Sequence, residues 1–465
     1  MDVLLFTPVD PFGYQIIPDL GLMYLASALR RAGHSVAIKD CRKEGWDLAA
    51  VEDYVRAEQP RIVGIKCYSN EAEVVARMVK AARQACPEAV IVVGGPHPSM
   101  DPRGTLPLMP EADFVFIGEA ELSLPALTKW VLKGRPGPVP EEIRGIAFRD
   151  AGQVVVREVA LMENLDDLPL PAWDLMRPDR YPDEAAGIFV PAFPAAPMSL
   201  SRGCPFRCSY CGCRYIAGGK IRYRTTSSIL REIEMLETEY GVRTLTFVDD
   251  NFTWNKKKAM ELFRALAQRP SKIRFTFPNG VRTDGIDAEI LQAMEEAGCH
   301  LTALGIESGN DETLVRMNKQ QTRAQIEEAV KLIRSRTRIL VTGFFILGYP
   351  GEGLAEIEET VRFAVSLPIH HAHFCLFIPI PGTPVYEELV KQGRVRPDQV
   401  CFSDLTIDRA SLPPPGVERR KMMRLHQLAY FRFYSRPWRM VSLLGQIRSL
   451  SHLRMIARRT LNLFR

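Results

Sequence analysis

The sequence predicts an α/β protein with two consecutive domains and a helical C-terminal extension. Short apolar runs alternate with amphipathic segments in both halves of the chain, which is the pattern of parallel strands joined by helices. A proline-rich stretch separates the two halves. With 465 residues the chain is long enough for two or three domains with large cores. We place the predicted segments at residues 1–135, 136–195, 196–400 and 401–465.

The first segment, residues 1–135, has the pattern of a doubly wound, Rossmann-like parallel sheet. Its strands are predicted from runs rich in Val and Ile, and its helices from the amphipathic segments between them. The strands are expected at 3–6, 35–39, 61–65, 89–93 and 114–117, and the helices at 20–32, 48–58, 71–85 and 121–132. In such a sheet a ligand binds beyond the carboxyl ends of the strands.

Residues 136–195 are predicted to connect the two domains. A hairpin is expected at 145–148 and 154–156. Pro169 and Pro171 are incompatible with a continuous helix, so we interpret residues 165–173 as an extended linker.

Residues 196–400 are predicted to form about six strand and helix units, an open (β/α)6 version of the eight-stranded barrel. The strands are expected at 198–200, 244–248, 274–277, 301–306, 339–347 and 373–378, and the helices at 228–240, 256–267, 288–297, 323–335 and 353–366. Chemistry in such barrels takes place at the carboxyl ends of the strands. The loop after the first of these strands is therefore of special interest.

That loop carries three cysteines, Cys204, Cys208 and Cys211, in the spacing C-x3-C-x2-C. Three thiolates are one short of the four that close an ordinary iron-sulfur cluster or a structural zinc site. A metal atom without a fourth protein ligand can bind a substrate or cofactor. Two other interpretations stay open from the spacing: a zinc site with Cys213 as fourth ligand, and cysteines that serve as small apolar residues.

The cysteine spacing, with the aromatic Tyr210 before the last cysteine, resembles the radical S-adenosylmethionine (SAM) superfamily. The resemblance implies a 4Fe-4S cluster on Cys204, Cys208 and Cys211, whose free iron binds the amino and carboxylate groups of SAM. It also implies that an electron from the cluster cleaves SAM to a 5'-deoxyadenosyl radical. An external donor such as flavodoxin or ferredoxin is then expected to supply the electron.

The same resemblance implies SAM contacts at the ends of the barrel strands. Glu307 and Ser308 match the segment that contacts the methionyl amine or ribose, and Arg282 is expected to hold the carboxylate. Each carboxylate taken alone is more often a helix N-cap or a solvated strand end. The full expected set is Tyr210, Asp250, Asn279, Arg282, Glu307, Ser308 and Gly348. We assign no catalytic side chain.

The loops that follow the strands of the first segment are similar to those of the cobalamin-binding domain that precedes the cluster domain in one large class of radical SAM enzymes. Paired glycines after a strand let the backbone approach a large flat ligand closely. The expected cobalamin contacts are Pro8, Asp40, Lys66, Ser69, Gly94, Gly95, Pro96, His97, Gly118 and Glu119. A lone loop histidine such as His97 more often forms a hydrogen bond than a metal bond.

One position departs from the cobalamin-binding pattern. The Asp-x-His-x-x-Gly motif supplies a histidine ligand to cobalt, but here Asp40 and Gly45 flank Arg42 at the histidine position. A guanidinium has no free lone pair, so Arg42 does not replace that ligand. We therefore expect cobalamin to bind without a histidine from this motif. The alternative is a degenerate domain that serves only as a scaffold.

The composition indicates an ordinary globular protein, with 46% hydrophobic and 25% charged residues. No apolar run is long enough to predict a transmembrane helix, and the first residues lack the basic start of a signal peptide. The 10 cysteines are scattered apart from the group at Cys204, which favours a reducing compartment over a disulfide framework. We expect a cytoplasmic protein.

Positive charge is concentrated at the C-terminus. Residues 419–465 contain 11 Arg and one Lys but no Asp or Glu, although the whole chain has a net charge of only +5. Three uses are compatible with this pattern. In order of preference they are closure of the open side of the barrel, contact with an anionic membrane surface, and nucleic-acid binding, which we do not expect.

The resemblance spans residues 1–400 and implies a cobalamin-dependent radical SAM enzyme. The main hypothesis is methyl transfer to an unactivated carbon of a small hydrophobic or natural-product substrate. A rival is an enzyme of the same architecture that performs cyclisation, oxidation or carbon–carbon bond formation on a lipid or tetrapyrrole. A second rival is a cobalamin or iron-sulfur sensor without catalytic activity. The identity of the substrate does not follow from the sequence.

Overall fold

The computed structural model describes residues 1–9, 16–183, 190–445 and 447. Within these residues the strands form a seven-stranded sheet, a six-stranded sheet and a two-stranded ribbon. The first sheet belongs to the N-terminal domain and the other two to the second domain. The α/β class and the order of the domains predicted from the sequence are therefore confirmed.

The first domain contains the five expected parallel strands and the expected helices between them. Strand β4, Val90–Gly94, shows why they form: its first four residues, Val-Ile-Val-Val, are buried between helices on both faces of the sheet. The strands are β1 Val3–Thr7, β2 Val36–Asp40, β3 Ile62–Lys66, β4 Val90–Gly94 and β5 Phe114–Phe116. The helices are α1 Leu20–Arg31, α2 Cys41–Glu44, α3 Leu48–Glu58, α4 Ala72–Ala85, α5 Pro96–Met100, α6 Pro102–Leu108 and α7 Ser123–Leu132.

The hairpin that we expected in the connector instead extends the first sheet. Its strands β6 Ile146–Asp150 and β7 Gln153–Val156 continue the order β2-β1-β3-β4-β5-β6-β7. β6 pairs antiparallel with β5, and β7 pairs antiparallel with β6. The first structural unit thus reaches residue 156, and the extended linker begins after it.

The second domain is a six-stranded parallel sheet in the order β15-β14-β13-β12-β11-β8, as expected for an open barrel. Its strands are β8 Ala195–Met198, β11 Thr244–Phe247, β12 Arg274–Val281, β13 Cys299–Glu307, β14 Leu340–Leu347 and β15 His371–Leu376, and β9 Ser201–Arg202 with β10 Arg222–Tyr223 form the ribbon. The helices are α8 Cys213–Ala217, α9 Thr226–Tyr240, α10 Lys256–Gln268, α11 Ala288–Glu296, α12 Asp311–Arg316, α13 Arg323–Arg336, α14 Leu354–Ser366 and α15 Pro384–Lys391.

Two helices follow near the C-terminus, α16 Arg419–Tyr434 and α17 Pro437–Leu444; α16 packs beside the edge strand β15, and α17 contacts α16 and the end of α14. Tyr430 and Tyr434 place their hydroxyls on the backbone of this strand, accepting hydrogen bonds from Phe374 N at 3.2 Å and Ala372 N at 3.3 Å. Side chains of α16 thus satisfy backbone groups that the open sheet leaves unpaired. Helix α16 thus lies at the open edge of the sheet, where the predicted closure of the barrel by the tail requires it; residues 448–465 lie outside the described residues.

The carboxyl edge of the first sheet lies against the cluster loop, which we define as residues 201–213. Met100 at the end of α5 fills the space beside two glycines: a Cβ on Gly212 would lie 2.9 Å from its sulfur, and one on Gly382 2.2 Å from its carbonyl oxygen. In addition, Tyr181 of the linker donates a hydrogen bond to Asp40 Oδ2 at 2.8 Å. The two domains therefore meet at the strand ends where both ligand sites were expected.

Candidate active site

The cluster loop leaves β8 through a turn that requires glycine. Gly203 has a φ of +101°, and a Cβ at this position would lie 2.4 Å from the carbonyl oxygen of Lys220. The backbone N–H of Cys204 donates to Gly218 O at 3.1 Å, which ties the start of the cluster loop to the residue after α8. Any side chain at position 203 would push the first cysteine away from this place.

Asp249, at the end of β11, holds the start of the cluster loop. Its Oδ1 accepts hydrogen bonds from the Ser201 backbone N–H at 2.5 Å and the Ser201 hydroxyl at 2.6 Å, and its Oδ2 accepts from Leu200 N at 3.0 Å. Burial raises the pKa of Asp249 to about 7, although these hydrogen bonds oppose the rise. Asp249 therefore positions the loop, whereas its neighbour Asp250 contacts the thiol of Cys213.

The sulfurs of the cluster loop line one cavity. Cys204, Cys208, Cys211 and Cys213 all border it, and all are free thiols. The single S–H of Cys213 is shared between the sulfurs of Cys204 and Cys211, and this lowers both pKa values against the effect of burial, that of Cys204 to about 7. These hydrogen bonds therefore favour the thiolate form of Cys204 and Cys211, which is the form that metal ligands require.

Glu307 lies at the end of β13 in a left-handed backbone conformation with a φ of +67°. Such a conformation costs about 1–3 kcal/mol in a residue other than glycine and is concentrated at functional sites. Its Oε1 accepts a hydrogen bond from Lys319 Nζ at 3.0 Å, and Lys319 Nζ also lies 3.4 Å from the Tyr210 hydroxyl. All three side chains thus meet beside the cluster loop, where burial raises the pKa of Tyr210 well above its usual value.

Arg282 is tied to the protein rather than left free in the cavity. Its Nε and Nη2 donate to Asp284 at 3.0 Å and 2.8 Å, and its guanidinium stacks 3.6 Å from the ring centre of Phe206 in the cluster loop. Burial raises the pKa of Cys208, and the positive charges of Lys319 and Arg282 partly offset the rise. Arg282 therefore supports the loop and adds positive charge beside a cysteine.

The other expected SAM residues differ in what they contact. Ser308 is completely buried, and its hydroxyl pairs with Thr360 at 3.0 Å, so its burial does not favour the predicted ligand contact. Asn279 donates to Val248 O at 2.6 Å between neighbouring strand ends. Gly348 has a φ of +81° in the turn after β14, where its N–H donates to Glu352 at 2.9 Å.

In the first domain, two largely buried ion pairs lie at the carboxyl ends of β2 and β3. Lys66 Nζ lies 2.5 Å from Asp19 Oδ2, and Arg42 pairs with Glu71. Burial would raise the pKa of Asp19, but Lys66 outweighs it and the pKa is lowered. Arg42, at the position of the absent histidine, is therefore held by a carboxylate.

Asp40 joins three elements at the end of β2. Its Oδ1 accepts a hydrogen bond from the Thr7 hydroxyl at 2.8 Å and caps α2 through Lys43 N, while Oδ2 receives the Tyr181 hydroxyl. Asp40 thus has a structural function at the domain junction. Pro8 is buried directly after β1, and the remainder of its predicted loop, residues 10–13, lies outside the described residues.

The glycine pair after β4 is required by close backbone packing. Gly95 has a φ of +109°, and a Cβ there would lie 2.9 Å from the carbonyl oxygen of Cys67. His97 follows Pro96 in α5 and is completely buried, with Nδ1 3.2 Å from the Ser69 hydroxyl. Burial lowers the pKa of His97 to about 4, so the ring is neutral, and its Nε2 has no hydrogen-bond partner among the described residues. His97 thus forms the hydrogen bond that the sequence suggested.

Glu119 and Gly118, two expected cobalamin contacts, instead join the domains. Glu119 accepts hydrogen bonds from Arg222 Nη1 at 2.8 Å and Nη2 at 2.7 Å and from Met162 N at 2.8 Å. At Gly118 a Cβ would lie 3.2 Å from the carbonyl oxygen of Ile216 in α8. The carboxylate of Glu119 is already occupied by partners in the second domain and linker, so a cobalamin contact is not supported by its geometry.

Comparisons with known proteins agree with this architecture. The model of the B12 binding domain matches residues 13–128, and the model of the radical SAM superfamily matches residues 198–364. An uncharacterized methyltransferase of Pyrococcus horikoshii, PH0819, is 31% identical over 90% of this chain and 88% of its own. This chain belongs to the cobalamin-binding radical SAM family.

Two further relatives of this family differ in their activities. The cytidylyl-2-hydroxyethylphosphonate methyltransferase of Streptomyces wedmorensis is 28% identical over 86% of this chain and 82% of its own. The anaerobic magnesium-protoporphyrin IX monomethyl ester cyclase of Cereibacter sphaeroides is 28% identical over 91% of this chain and 69% of its own. Methylation and cyclisation thus both occur among the relatives.

Solved structures share the fold of this radical SAM chain. The cobalamin-dependent SAM radical enzyme OxsB superposes with a TM-score of 0.75 at 15% identity, covering 100% of this chain and 71% of that one. The radical SAM methyltransferase TsrM from Kitasatospora setae superposes with a TM-score of 0.68 at 20% identity, covering 85% and 76%.

The cysteine cavity fits the cluster of this family better than a zinc ion. Among the described residues, no group of three or more His, Cys, Asp or Glu side chains is arranged to hold a single metal ion. A cubane cluster needs a different arrangement, because each cysteine binds a separate iron atom. Cys204, Cys208 and Cys211 border one cavity with cationic side chains nearby, and this donor set suits an anionic cluster.

The first sheet also fits the B12-binding assignment. The strand order reverses between β1 and β3, and ligands of doubly wound sheets bind at such a switch point. The buried, unpartnered Nε2 of His97 lies in the segment that follows β4 at the same edge. Ser69, Gly94 and Gly95 belong to the same two strand-end loops, so they remain candidates for contact with cobalamin.

Lys319, Tyr181 and Met100 were not expected from the sequence, yet each lies at a key contact. Lys319 follows a short turn after α12, Tyr181 lies in the linker, and Met100 ends a helix of five residues. None belongs to a motif or a periodic pattern, so the sequence carried no signal for their positions.

Proposed function

We propose that this protein is a cobalamin-dependent radical SAM methyltransferase that acts on an unactivated carbon of a small apolar molecule. The family assignment supports the two cofactors, and the relatives include methyltransferases over most of their length. The observation that carries the proposal is the contact of the two carboxyl edges, where Met100 of the B12-binding domain packs against Gly212 of the cluster loop. Both cofactor sites can then serve one substrate cavity.

The residues around the cluster loop suit the binding of SAM, which carries an ammonium, a carboxylate and a sulfonium. We propose that the Glu307 carboxylate binds the SAM ammonium and that Lys319, which donates a hydrogen bond to it, holds it in the correct orientation. Lys319 and Arg282 also provide positive charge for the carboxylate of SAM. Asp249 and Gly203 hold the loop so that its three cysteines keep their positions around the cavity.

When bound, the cluster supplies the electron that cleaves SAM, and cobalamin supplies the methyl group. We propose that an external carrier such as flavodoxin or ferredoxin delivers that electron. At the cobalamin face, Arg42 remains paired with Glu71 and provides no ligand to cobalt. Lys66 remains paired with Asp19, so the positive charge of Lys66 is also neutralised at the same edge of the sheet.

A second cavity between the domains has a mostly apolar wall, and it shares no lining residue with the cysteine cavity. Proline, isoleucine and other hydrocarbon groups form most of its wall, and Thr246 and Tyr181 are among its few polar residues. The Tyr181 hydroxyl is already bonded to Asp40, which leaves its ring as the lining surface. The wall consists of Ile16, Ile17, Pro18, Pro178, Tyr181, Pro182, Asp183, Val190, Phe193, Pro194, Ala195, Ala196, Pro197 and Thr246. Burial of an apolar molecule here is favoured by the hydrophobic effect.

Cyclisation is the second candidate, because a cyclase is among the relatives. Both reactions begin with the cleavage of SAM, so the two candidates differ only in the product. A gain of one methylene unit in the product mass supports methyl transfer, whereas a loss of hydrogen supports cyclisation. A sensor without catalytic activity needs no cleavage of SAM at all.

The proposal is tested with purified protein whose cluster has been reconstituted in the presence of excess cobalamin. After desalting, we expect the protein to retain cobalamin and, once reduced, to convert SAM to 5'-deoxyadenosine. Retention of the cluster without cobalamin would exclude the methyltransferase. Retention of both cofactors without any 5'-deoxyadenosine would favour the sensor. The control is Cys208→Ala, which we expect to retain cobalamin but to leave SAM intact.

A further inference from the structure

An exposed apolar patch lies at the C-terminal end of the described chain. It is formed by five side chains of α16 and α17, and we call it the C-terminal patch: Leu428, Phe431, Trp438, Met440 and Val441. Phe431 and Val441 are 68% and 69% exposed. Isolated exposed hydrophobic residues are ordinary, but five on two consecutive helices make a candidate interaction surface.

The exposure of the patch follows from the way α16 packs. Met422, His426, Ala429 and Phe433 form the buried stripe of this helix at helical spacing. The opposite stripe is polar in its first half, with Lys421 and Arg424, and apolar in its second half, with Leu428 and Phe431. Helix α16 therefore has two apolar surfaces. One is the buried stripe that packs on the barrel, and the other is a shorter, outward-facing segment that the barrel does not cover.

Helix α17 is held in place by a buried arginine. Arg439 is completely buried and donates hydrogen bonds to the carbonyl oxygens of Phe433 at 3.0 Å, Val365 at 3.0 Å and Leu367 at 2.7 Å. Its guanidinium also stacks 3.6 Å from the ring centre of Phe433. These contacts fix α17 to the ends of α14 and α16. The neighbours of Arg439, which are Trp438, Met440 and Val441, are consequently presented outward on a fixed support.

The surroundings of the patch are positively charged. Exposed cations flank it at Lys421, Arg424, Arg432 and Arg436. Beyond Glu418 the sequence contains no acidic residue, and residues 448–465 add five more arginines. Apolar and aromatic side chains surrounded by cations match an anionic lipid surface, because the hydrocarbon enters the interface and the cations remain among the headgroups.

Other occupants fit this chemistry less well. A second copy of the chain would bring two strongly positive surfaces together. Residues 448–465, which contain five arginines and no acidic residue, would likewise bring positive charge against a positive surface. Nucleic acid attracts the arginines and stacks on aromatic rings, but it offers no partner to Leu428, Met440 or Val441. We therefore propose that the C-terminal patch binds the surface of a membrane that contains anionic phospholipids. This inference does not depend on the proposed methyl transfer.

The test uses the full-length protein with its cluster reconstituted, and sedimentation with vesicles as the measurement. We expect binding to vesicles of phosphatidylcholine and phosphatidylglycerol, little binding to phosphatidylcholine alone, and release at high salt. Phe431→Gln and Val441→Gln should each lower the partition coefficient about tenfold, since each removes one large apolar side chain from the interface. Leu122→Gln, a matched change at a residue 47% exposed in the first domain, should leave binding unchanged.

Each variant must elute as the wild type does and retain the visible absorbance of the cluster, so a folding defect is recognised. Replacing Arg424 and Arg432 together with Gln should weaken binding to the anionic vesicles but not alter the cluster. The proposal is overturned if the wild type does not bind the vesicles, or if the patch variants bind them as strongly as the wild type does. It is also overturned if removal of residues 448–465 abolishes binding while the patch variants still bind. Dimerisation through the patch, or binding of poly-U RNA in place of vesicles, would also overturn it.

Discussion

Glu119 and Arg222 form a buried ion pair that joins the two domains beside the cluster loop. The carboxylate follows β5 of the B12-binding domain, and the guanidinium belongs to β10, which pairs with the strand that begins the cluster loop. Two hydrogen bonds of 2.8 Å and 2.7 Å connect them, and less than a tenth of each side chain is exposed. The domain interface and the cluster loop are thus parts of one contact network.

Glu119→Gln should destabilise this interface. Breaking a buried ion pair by removing one charge costs about 3–5 kcal/mol, so we expect a decrease of that order in the free energy of unfolding. Glu88→Gln, at an exposed acid of the same domain, is the control and should change little. Chemical denaturation of both variants measures the difference. If Glu119→Gln and Glu88→Gln have the same free energy of unfolding, the ion pair contributes nothing to the stability of the protein.

The same pair predicts a dependence of stability on pH. Burial would raise the pKa of Glu119, but hydrogen bonds from Arg222 and the charge of Arg202 outweigh it and the pKa falls below 4.5. A carboxylate with a lowered folded pKa stabilises the protein above its unfolded pKa, and this contribution disappears as the pH falls through the folded value. Below about pH 4.5 the wild type should therefore lose more stability than Glu119→Gln.

Cys213 distinguishes the cluster from a zinc site. Cys204→Ala, Cys208→Ala and Cys211→Ala should each abolish the visible absorbance and most of the iron of the reconstituted protein, since each removes the ligand of one iron. Cys213→Ala should retain both, because this thiol lies outside the motif. Loss of the metal in Cys213→Ala, with zinc in place of iron in the wild type, would contradict the assignment.

Glu307 and Ser308 are neighbours with different expected effects on SAM. Glu307→Gln removes a buried charge beside the cluster loop and should weaken SAM binding about tenfold to a hundredfold. Ser308→Ala should leave the affinity nearly unchanged, because the hydroxyl is buried against Thr360. Equilibrium dialysis with labelled SAM gives both affinities, and the iron content shows that the cluster is intact. If Ser308→Ala lowers the affinity for SAM more than Glu307→Gln does, Ser308 and not Glu307 contacts SAM, and the assignment is wrong.

Arg42 predicts the state of bound cobalamin. Because this residue pairs with Glu71 and has no free lone pair, the cob(II)alamin form should show no hyperfine splitting from an axial histidine nitrogen in its electron paramagnetic resonance spectrum. Arg42→Ala should give the same spectrum. A nitrogen splitting that changes when the protein is labelled with 15N, and so does not come from the dimethylbenzimidazole of the cofactor itself, would mean that a histidine from elsewhere, such as His97, reaches cobalt.

The sequence predicted the parallel strands well because runs such as β4 are apolar on both faces and contain β-branched residues. It missed α5 and α6, which are short and contain several prolines, so they complete too few turns to show a helical period. It found Cys204, Cys208 and Cys211 because their spacing is local. It assigned Glu119 to a ligand because a polar residue after a strand suggests one, whereas its partner Arg222 is 103 residues away.

The most direct test of the account uses SAM with a deuterated methyl group and the protein loaded with both cofactors under reducing conditions. Methyl transfer from SAM to reduced cobalamin forms methylcobalamin and S-adenosylhomocysteine. These products can be measured without knowledge of the final substrate. We predict methylcobalamin that carries three deuterium atoms, together with 5'-deoxyadenosine from a second SAM. Formation of 5'-deoxyadenosine while the cobalamin remains unlabelled would contradict methyl transfer as the function of this protein.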